Sequence, residues 1–329
     1  MLKQRMKSFK MEKSDVIKLS VIAVLAFILI LAFIMIGLTP KNFSYALSRR
    51  IPKVYAMIMV GGIIGFSSLI FQTVTNNHIL TPSVLGLDSL YMLLNTALVF
   101  FLGATNKWLI NDNSNFILTL VVMLGASVIF YQLVFKNRSQ NIFFILLVGI
   151  VVGTLFESFT TFLQVLTDPS EFLTVQDKSQ ASFNNINTKV LLLSTVIVFL
   201  TVGFSARYFK VLDVMGLGRD QAINLGVSYD KTVQKLLVVV VILTAVATAL
   251  VGPVTFLGLL VVNIARYFIK SYKHSHLVLA IWLLSIVALV GGQLFVERVL
   301  NFGISIGIII NFVGGIYFIY LLMKGRTDS

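Results

Sequence analysis

The sequence lacks cysteine altogether and has little charge. Its 329 residues include no cysteine and three histidines, and 12% are charged. Without cysteine there are no disulfides, no thiol catalysis and no Cys-ligated metal centre, and three histidines do not favour a metal site. A soluble domain carries about 25% charged residues, so this composition excludes a soluble globular protein, a disordered protein and a nucleic-acid-binding protein. With 57% hydrophobic residues and a mean hydropathy of +0.94, the chain is expected to lie in a membrane.

Motifs for enzymatic chemistry are absent as well. No G-x-x-x-x-G-K-[ST] phosphate loop occurs, so the chain itself is expected neither to bind nor to hydrolyse ATP. Neither H-E-x-x-H nor G-x-S-x-G is present. We therefore assign no catalytic residue, no metal ligand and no cofactor. Transport is the predicted function, and a membrane enzyme is a weak hypothesis.

Ten apolar runs occur along the chain, most of them about as long as the ~20 residues that cross a bilayer as a helix. They predict an all-α integral membrane protein of about ten transmembrane helices. The single transmembrane domain would cover 19–323, between a basic segment 1–18 and a tail 324–329. Gly252 and Pro253 alone separate the seventh and eighth runs, which fits either two helices or one kinked helix. The runs lie near 19–38, 54–74, 84–103, 116–135, 142–163, 190–209, 233–251, 254–269, 277–296 and 304–323.

The net charge of +13 is interpreted as a topology signal. With the N-terminus inside, most of the 26 Lys and Arg residues fall in the inside segments. By the positive-inside rule, both termini are predicted to be cytoplasmic, in a multi-pass protein of the cell membrane. No nucleic-acid partner is expected.

Polar or small residues recur at helical spacing in three runs. Steps of three or four residues place each series on one helical face. Close helix packing explains glycines at this spacing, but a carboxyl group within a span is costly unless it faces a cavity or a partner. Glu157 is therefore predicted to belong to a pathway or gate, or else to make a buried structural hydrogen bond. The three series are Gly149, Gly153, Glu157 and Thr161; Gly303, Gly307, Asn311 and Gly315; and Gly61, Gly65, Ser68 and Gln72.

The inside segment 210–232 is long and polar enough to have its own structure. Leu217, Ala222 and Leu225 can share one face of a short helix bounded by Gly218 and Gly226, and Gly226 suits a left-handed C-terminal cap. An amphipathic helix between long spans is typical of a docking element for a soluble partner. The alternative is a solvated loop lying on the membrane.

Several motifs of this sequence resemble those of one permease family. Residues 217–227 read L-G-R-D-Q-A-I-N-L-G-V and resemble the L-G-x-x-x-A-x-x-L-G-V coupling motif of the FecCD family, the iron-siderophore and vitamin B12 permeases of type II ABC importers. Residues 252–266 are similar to the family's G-x-I-x-F-V-G-L-I-V-P-H-x-A-R, with Val262-Asn263 in place of Pro-His. Residues 146–153 resemble the start of the family's fifth span. Residues 72–86 are similar to Q-x-x-x-R-N-P-L-A-x-P-x-x-L-G, but 76–80 read N-N-H-I-L, which resembles the catecholate-siderophore branch.

The resemblance implies a type II ABC importer permease fold. Two permease subunits, identical or paralogous, would form the pathway in the lipid membrane, above an ABC ATPase dimer and below a substrate-binding (lipo)protein. ATP-driven alternating access would import a ferric siderophore, the catecholate type being favoured. The implied ATPase-coupling residues are Leu217, Gly218, Ala222, Leu225 and Gly226. The implied pathway residues are Gly149, Gly153, Glu157, Thr161, Gly307 and Asn311, and the implied binding-protein contacts are Arg49, Arg50 and Arg298.

Two other transport functions remain open from the sequence. The same machinery could import haem or vitamin B12. An ion-coupled secondary transporter would instead use Glu157 as a proton carrier.

Overall fold

The computed structural model describes residues 12–103, 106, 111–136, 142–184 and 186–325, and this part consists of helices and connecting segments without a strand. A short 3-10 turn, Pro82–Leu85, precedes the third helix. The α-helices are α1 Lys13–Met35, α2 Phe43–Thr75, α3 Leu87–Leu102, α4 Asp112–Lys136, α5 Ile142–Leu166, α6 Pro169–Lys178, α7 Thr188–Ala206, α8 Phe209–Met215, α9 Arg219–Asn224, α10 Tyr229–Val251, α11 Leu257–Phe268, α12 His274–Arg298 and α13 Ile306–Gly325.

Each predicted apolar run overlaps one of these helices. Six of the described helices, α1, α2, α5, α7, α10 and α12, are long and apolar enough to cross a membrane, and α3, α4, α11 and α13 are shorter apolar helices. The prediction of an all-α membrane protein is therefore confirmed. The chain also forms three short helices outside the apolar runs, namely α6, α8 and α9.

The segment between α10 and α11 is a break, not a kink. Gly252 has a φ of +91°, in the left-handed region that side chains disfavour. A Cβ added there would lie 3.3 Å from the Ala181 Cα, and the Ser182 N–H donates to the Val251 carbonyl at 2.8 Å. The chain therefore forms two helices here, and one long kinked helix is excluded.

Helix α2 is the centre of the bundle. It packs against α12, α10 and α11, and also contacts α1 and α7. The face predicted from Gly61, Gly65, Ser68 and Gln72 is buried, and Cβ atoms at Gly61 and Gly65 would come within 3 Å of Ser285 and Ile281 side-chain atoms of α12. The small residues of this series thus serve close helix packing.

Several apolar faces remain uncovered in the single chain. Less than a third of the apolar window of α1, α5 and α7 is buried. Helix α13 leaves Phe312, Ile316, Ile319 and Met323 exposed. In a membrane protein such faces meet lipid or another subunit.

Candidate functional site

The short helix predicted within 210–232 is present. Helix α9 lies between Gly218, with a φ of +100°, and Gly226, with a φ of +86°. The Val227 N–H donates to the Ala222 carbonyl at 3.0 Å and the Gly226 N–H donates to the Ile223 carbonyl at 2.9 Å. This pair of hydrogen bonds is the Schellman motif. The prediction of a helix with a left-handed glycine cap is confirmed.

The predicted apolar face of this helix is wrong in one member. Leu217 and Leu225 are 56% and 63% exposed, but Ala222 is fully buried. Ala222 is buried because α9 folds back onto α8 and α10. Ile223, which is 42% exposed, belongs to the outward ridge instead. The sequence could have indicated this role, because Ile223 is the only large apolar residue of α9.

A hydrogen-bonded chain of side chains ties this segment to the bundle. The Asp213 carboxylate of α8 contacts His274 of α12 twice, at 2.7 Å to the backbone N–H and 2.8 Å to Nδ1. The Nε2 of His274 lies 2.8 Å from Thr73 Oγ1 of α2. Burial alone would raise the pKa of Asp213, but the hydrogen bonds and charge of His274, with the charge of Lys273, hold this pKa below its ordinary value. No local spacing signals this cluster, because its three members are far apart in the chain.

The α5 series divides into a packed half and an exposed half. A Cβ at Gly149 would lie 3.0 Å from the Val84 carbonyl oxygen, and one at Gly153 would lie 3.2 Å from the Gly86 Cα. Both glycines therefore hold the 82–86 turn against α5. One turn further on, Glu157 is exposed in the single chain, with its Oε1 3.5 Å from Ser89 Oγ. Thr161 is exposed too.

The α13 series has a similar division. A Cβ at Gly307 would lie 2.9 Å from the Ala181 backbone nitrogen. The absence of a side chain at Gly307 therefore lets the 180–184 segment pack closely against α13. Asn311 is half-buried, and its Oδ1 has no hydrogen-bond partner among the described residues. Helices α5 and α13 are not among the closely packed helix pairs of the described chain. Within the single chain, the α5 series and the α13 series therefore do not form one packed surface.

Two of the three predicted docking arginines have partners inside the chain. Arg50 Nη1 donates to the Ile34 and Ile36 carbonyls at 2.6 and 2.8 Å, and Arg298 Nη2 donates to the Ile36 carbonyl at 2.6 Å. These guanidinium groups cap the C-terminal end of α1, where carbonyls lack helical partners and a cation is favoured. Arg49 is exposed and lies 6.0 Å from the centre of the Tyr45 ring.

Next to these arginines lies an ion pair that the sequence did not indicate. Lys53 Nζ pairs with Glu297 Oε1 and donates to Asn184 Oδ1 at 2.8 Å. Gln293 Nε2 donates to both acceptors, at 3.0 and 3.1 Å. The network joins α2, α12 and the 180–184 segment beside a cavity of about 310 Å³ that Arg49 and Arg50 also line.

Among the described residues, no group of three His, Asp or Glu side chains is placed to hold a metal ion.

A model of the FecCD transport family matches residues 14–324. The chain belongs to the FecCD transport family. The match covers nearly the whole sequence, so the helices, the α9 segment and the α5 and α13 series all fall within it.

Comparisons with known proteins agree with this family. This chain is 56% identical over 283 residues to the petrobactin import system permease protein YclO of Bacillus subtilis. The match covers 86% of this chain and 90% of YclO. This chain is 23% identical over 294 residues to YclN, another petrobactin import system permease protein of the same organism, covering 88% and 89% of the two chains. A solved structure assigned to a metal-chelate type ABC transporter in an inward-facing conformation superposes with a TM-score of 0.81. That superposition covers 94% of this chain and all of that one at 20% identity, and it shows the fold alone. The chain is a multi-pass membrane permease with the fold of an ABC transporter permease.

Proposed function

We propose that this FecCD chain is the permease subunit of an ATP-driven importer of a ferric catecholate siderophore, and that petrobactin is its cargo. The observation that carries the proposal is the 56% identity to YclO over most of both chains. ATP hydrolysis takes place on a separate ABC ATPase, since no phosphate loop occurs in this sequence.

The proposed topology has ten spans in the cell membrane with both termini in the cytoplasm. Support comes from the one-to-one match between apolar runs and helices and from the distribution of Lys and Arg. In this orientation α9 lies on the cytoplasmic side, and Arg49, Arg50 and Arg298 lie on the outer side.

The proposed ATPase contact is the apolar ridge of Leu217, Ile223 and Leu225. An exposed apolar ridge on a well-capped helix suits a groove on a soluble partner. Gly218, Ala222 and Gly226 shape the ridge, because they fix the caps and the inward packing of α9. The Asp213–His274–Thr73 chain would carry movement of this segment into α2 and α12.

The proposed pathway forms between two permeases, from the uncovered faces of α5 and α13. Glu157, Thr161 and Asn311 would face it, and Gly149, Gly153 and Gly307 would set the positions of the 82–86 and 180–184 segments beside it. The second permease is a paralogue in this proposal, because the relatives include two different petrobactin import system permease proteins of Bacillus subtilis.

The proposed contact with the substrate-binding protein centres on Arg49, with Arg50 and Arg298 beside it. Exposed ion pairs are individually worth about 0–1 kcal/mol, so these cations would mainly steer and orient the partner.

The test of this function is uptake by proteoliposomes that hold the chain with its ATPase and second permease, supplied with the binding protein outside. Radiolabelled ferric petrobactin should enter in an ATP-dependent manner, and haem and vitamin B12 should not. Uptake that persists without the ATPase and collapses with the proton gradient would instead establish a secondary transporter. Import of haem or vitamin B12 in place of petrobactin would overturn the cargo assignment.

A further inference from the structure

A cavity of about 840 Å³ opens at the end of the bundle that carries α9. It lies where α2, α11 and α13 end and where α12 begins, and Gly216 and Leu217 form part of its wall. This volume is that of a small-molecule site.

One fully buried polar side chain of the cavity lining has no hydrogen-bond partner among the described residues. Gln72 is fully buried, and neither its Oε1 nor its Nε2 has a hydrogen-bond partner in the described part of the chain. A buried amide without partners lowers stability, since it has lost its hydration without compensation. Its Nε2 can donate a hydrogen bond to an oxygen atom of a ligand in the cavity.

The charge of the lining is positive. Arg266, in the last turn of α11, has a buried Nε without a hydrogen-bond partner, and it forms no ion pair among the described residues. Lys270 is an exposed second cation of the wall. The acid of the wall, Asp213, is already bound to His274, and nearby Asp15 accepts from the Lys270 backbone N–H. The cavity therefore favours an anion.

Two residues that differ from the FecCD motifs, His78 and Asn263, line this cavity. Asn263 Nδ2 of α11 donates to the His78 carbonyl at 3.1 Å, and both residues line the wall. These positions fall in the segments 76–80 and 262–263, which differ from the family pattern. The wall thus combines residues that match the family motifs, namely Gln72, Leu217 and Arg266, with the two departures His78 and Asn263.

Aromatic and apolar side chains continue from the cavity onto the membrane-facing surface. Tyr267, Tyr272 and Tyr320 are exposed, and tyrosine is enriched where membranes meet water. Phe268, which is also exposed, packs edge-to-face against Tyr267. A ligand with an anionic head and an apolar tail would match both surfaces.

We propose that this cavity binds the phosphate group of an anionic phospholipid of the cytoplasmic leaflet, with Gln72, Arg266 and Lys270 as its polar contacts. Basic pockets between transmembrane helices on the cytoplasmic side are suited to such headgroups. Free phosphate shares this chemistry but lacks the tail that would lie against Tyr267 and Phe268. Lipid bound here would also stabilise the wall that includes Leu217 of the α9 ridge. The assignment is independent of the transported cargo.

The test measures thermal unfolding of the purified chain in detergent from its tryptophan fluorescence. Phosphatidylglycerol should raise the Tm by several degrees, because a ligand of the folded state stabilises it. Phosphatidylcholine, inorganic phosphate and glycerol phosphate should leave it unchanged. The variant Arg266→Gln with Lys270→Gln should lose more than half of the phosphatidylglycerol shift. The matched control, Arg207→Gln with Lys235→Gln, removes the same charge from exposed positions outside the cavity and should keep the shift.

A third variant separates lipid binding from folding. Gln72→Leu removes the unpartnered amide, so it should keep the lipid-free Tm or raise it and should reduce the lipid shift. An equal shift in wild type and in the Arg266–Lys270 variant would overturn the proposal. A shift with inorganic phosphate as large as that with phosphatidylglycerol would overturn the lipid assignment in favour of a soluble phosphate.

Discussion

At the scale of single residues, positions 68 and 258 decide how closely α11 approaches α2. A Cβ on Gly258 would lie 1.9 Å from Ser68 Oγ and 2.7 Å from Ser68 Cβ. Rotation of the serine side chain relieves the first contact but not the second. We expect Gly258→Ala to destabilise the chain by about 1–3 kcal/mol, as overpacking does, and to lower the Tm in detergent.

The control for this prediction is a compensating change. Ser68→Gly removes the clashing atoms, so the double variant should recover part of the lost Tm. A double variant no more stable than Gly258→Ala would contradict the close approach of α2 and α11.

The three predicted docking arginines should separate into structural and surface residues. Arg50 and Arg298 each donate to carbonyls at the end of α1, and hydrogen bonds from charged groups are worth about 1.5–3 kcal/mol. Because both arginines are partly exposed, we expect Arg50→Gln or Arg298→Gln to cost about 1 kcal/mol and to lower the Tm. Arg49→Gln should leave the Tm unchanged and weaken capture of the binding protein, most visibly at low salt. The reverse pattern, with Arg49 alone affecting stability, would refute this division.

The Asp213–His274 contact should make stability depend on pH. The pKa of Asp213 is below its ordinary value, so the carboxylate adds stability above about pH 4 and loses it as the pH falls through the lowered pKa. Asp213→Asn keeps an oxygen for the His274 N–H but removes the charge. We expect it to cost on the order of 1 kcal/mol at pH 7, and the Tm difference from wild type should shrink below about pH 4. A difference that is constant from pH 7 to pH 3 would show that the carboxylate charge contributes nothing.

At the scale of elements, α9 joins an inward alanine to an outward apolar ridge. Fully burying a Leu or Ile side chain is worth about 1.5–3 kcal/mol, so Leu217→Ser, Ile223→Ser and Leu225→Ser together should weaken ATPase binding at least tenfold. The Tm should change little, since these side chains are exposed. Affinity measured with the purified ATPase tests the prediction.

Two controls lie on the same helix. Gln221→Ala with Asn224→Ala changes exposed polar residues and should retain ATPase binding. Ala222→Leu should lower the Tm, because Ala222 is fully buried. Normal ATPase affinity in the ridge variant would exclude this surface as the contact.

At the scale of the whole molecule, the uncovered faces of α5 and α13 predict where a second permease packs. Since the chain has no cysteine, a single introduced cysteine is its only thiol. With a thiol-directed photo-crosslinker, Phe312→Cys on α13 should capture the second permease, identified by mass. Val24→Cys, at an exposed position of α1, should capture none. Crosslinks of equal yield from both positions would contradict an α13 interface.

Much of this molecule was predictable from local sequence features. Apolar runs of about 20 residues place the main helices, because hydrophobic length is a property of consecutive residues. Gly218 and Gly226 predicted the ends of α9 for the same reason, since backbone preference is local. The motifs at 217–227 and 252–266 indicate the family, because each is a pattern of consecutive residues.

Sequence by itself thus determined the membrane class, the apolar segments, the caps of α9 and the family. Tertiary structure alone decided that Ala222 faces inward, that Arg50 and Arg298 cap α1, and that Asp213 meets His274 and Thr73. It also decided that Gln72 and Arg266 share one cavity. These contacts join residues far apart in the chain, and which faces meet depends on how the helices pack, which no local periodicity encodes.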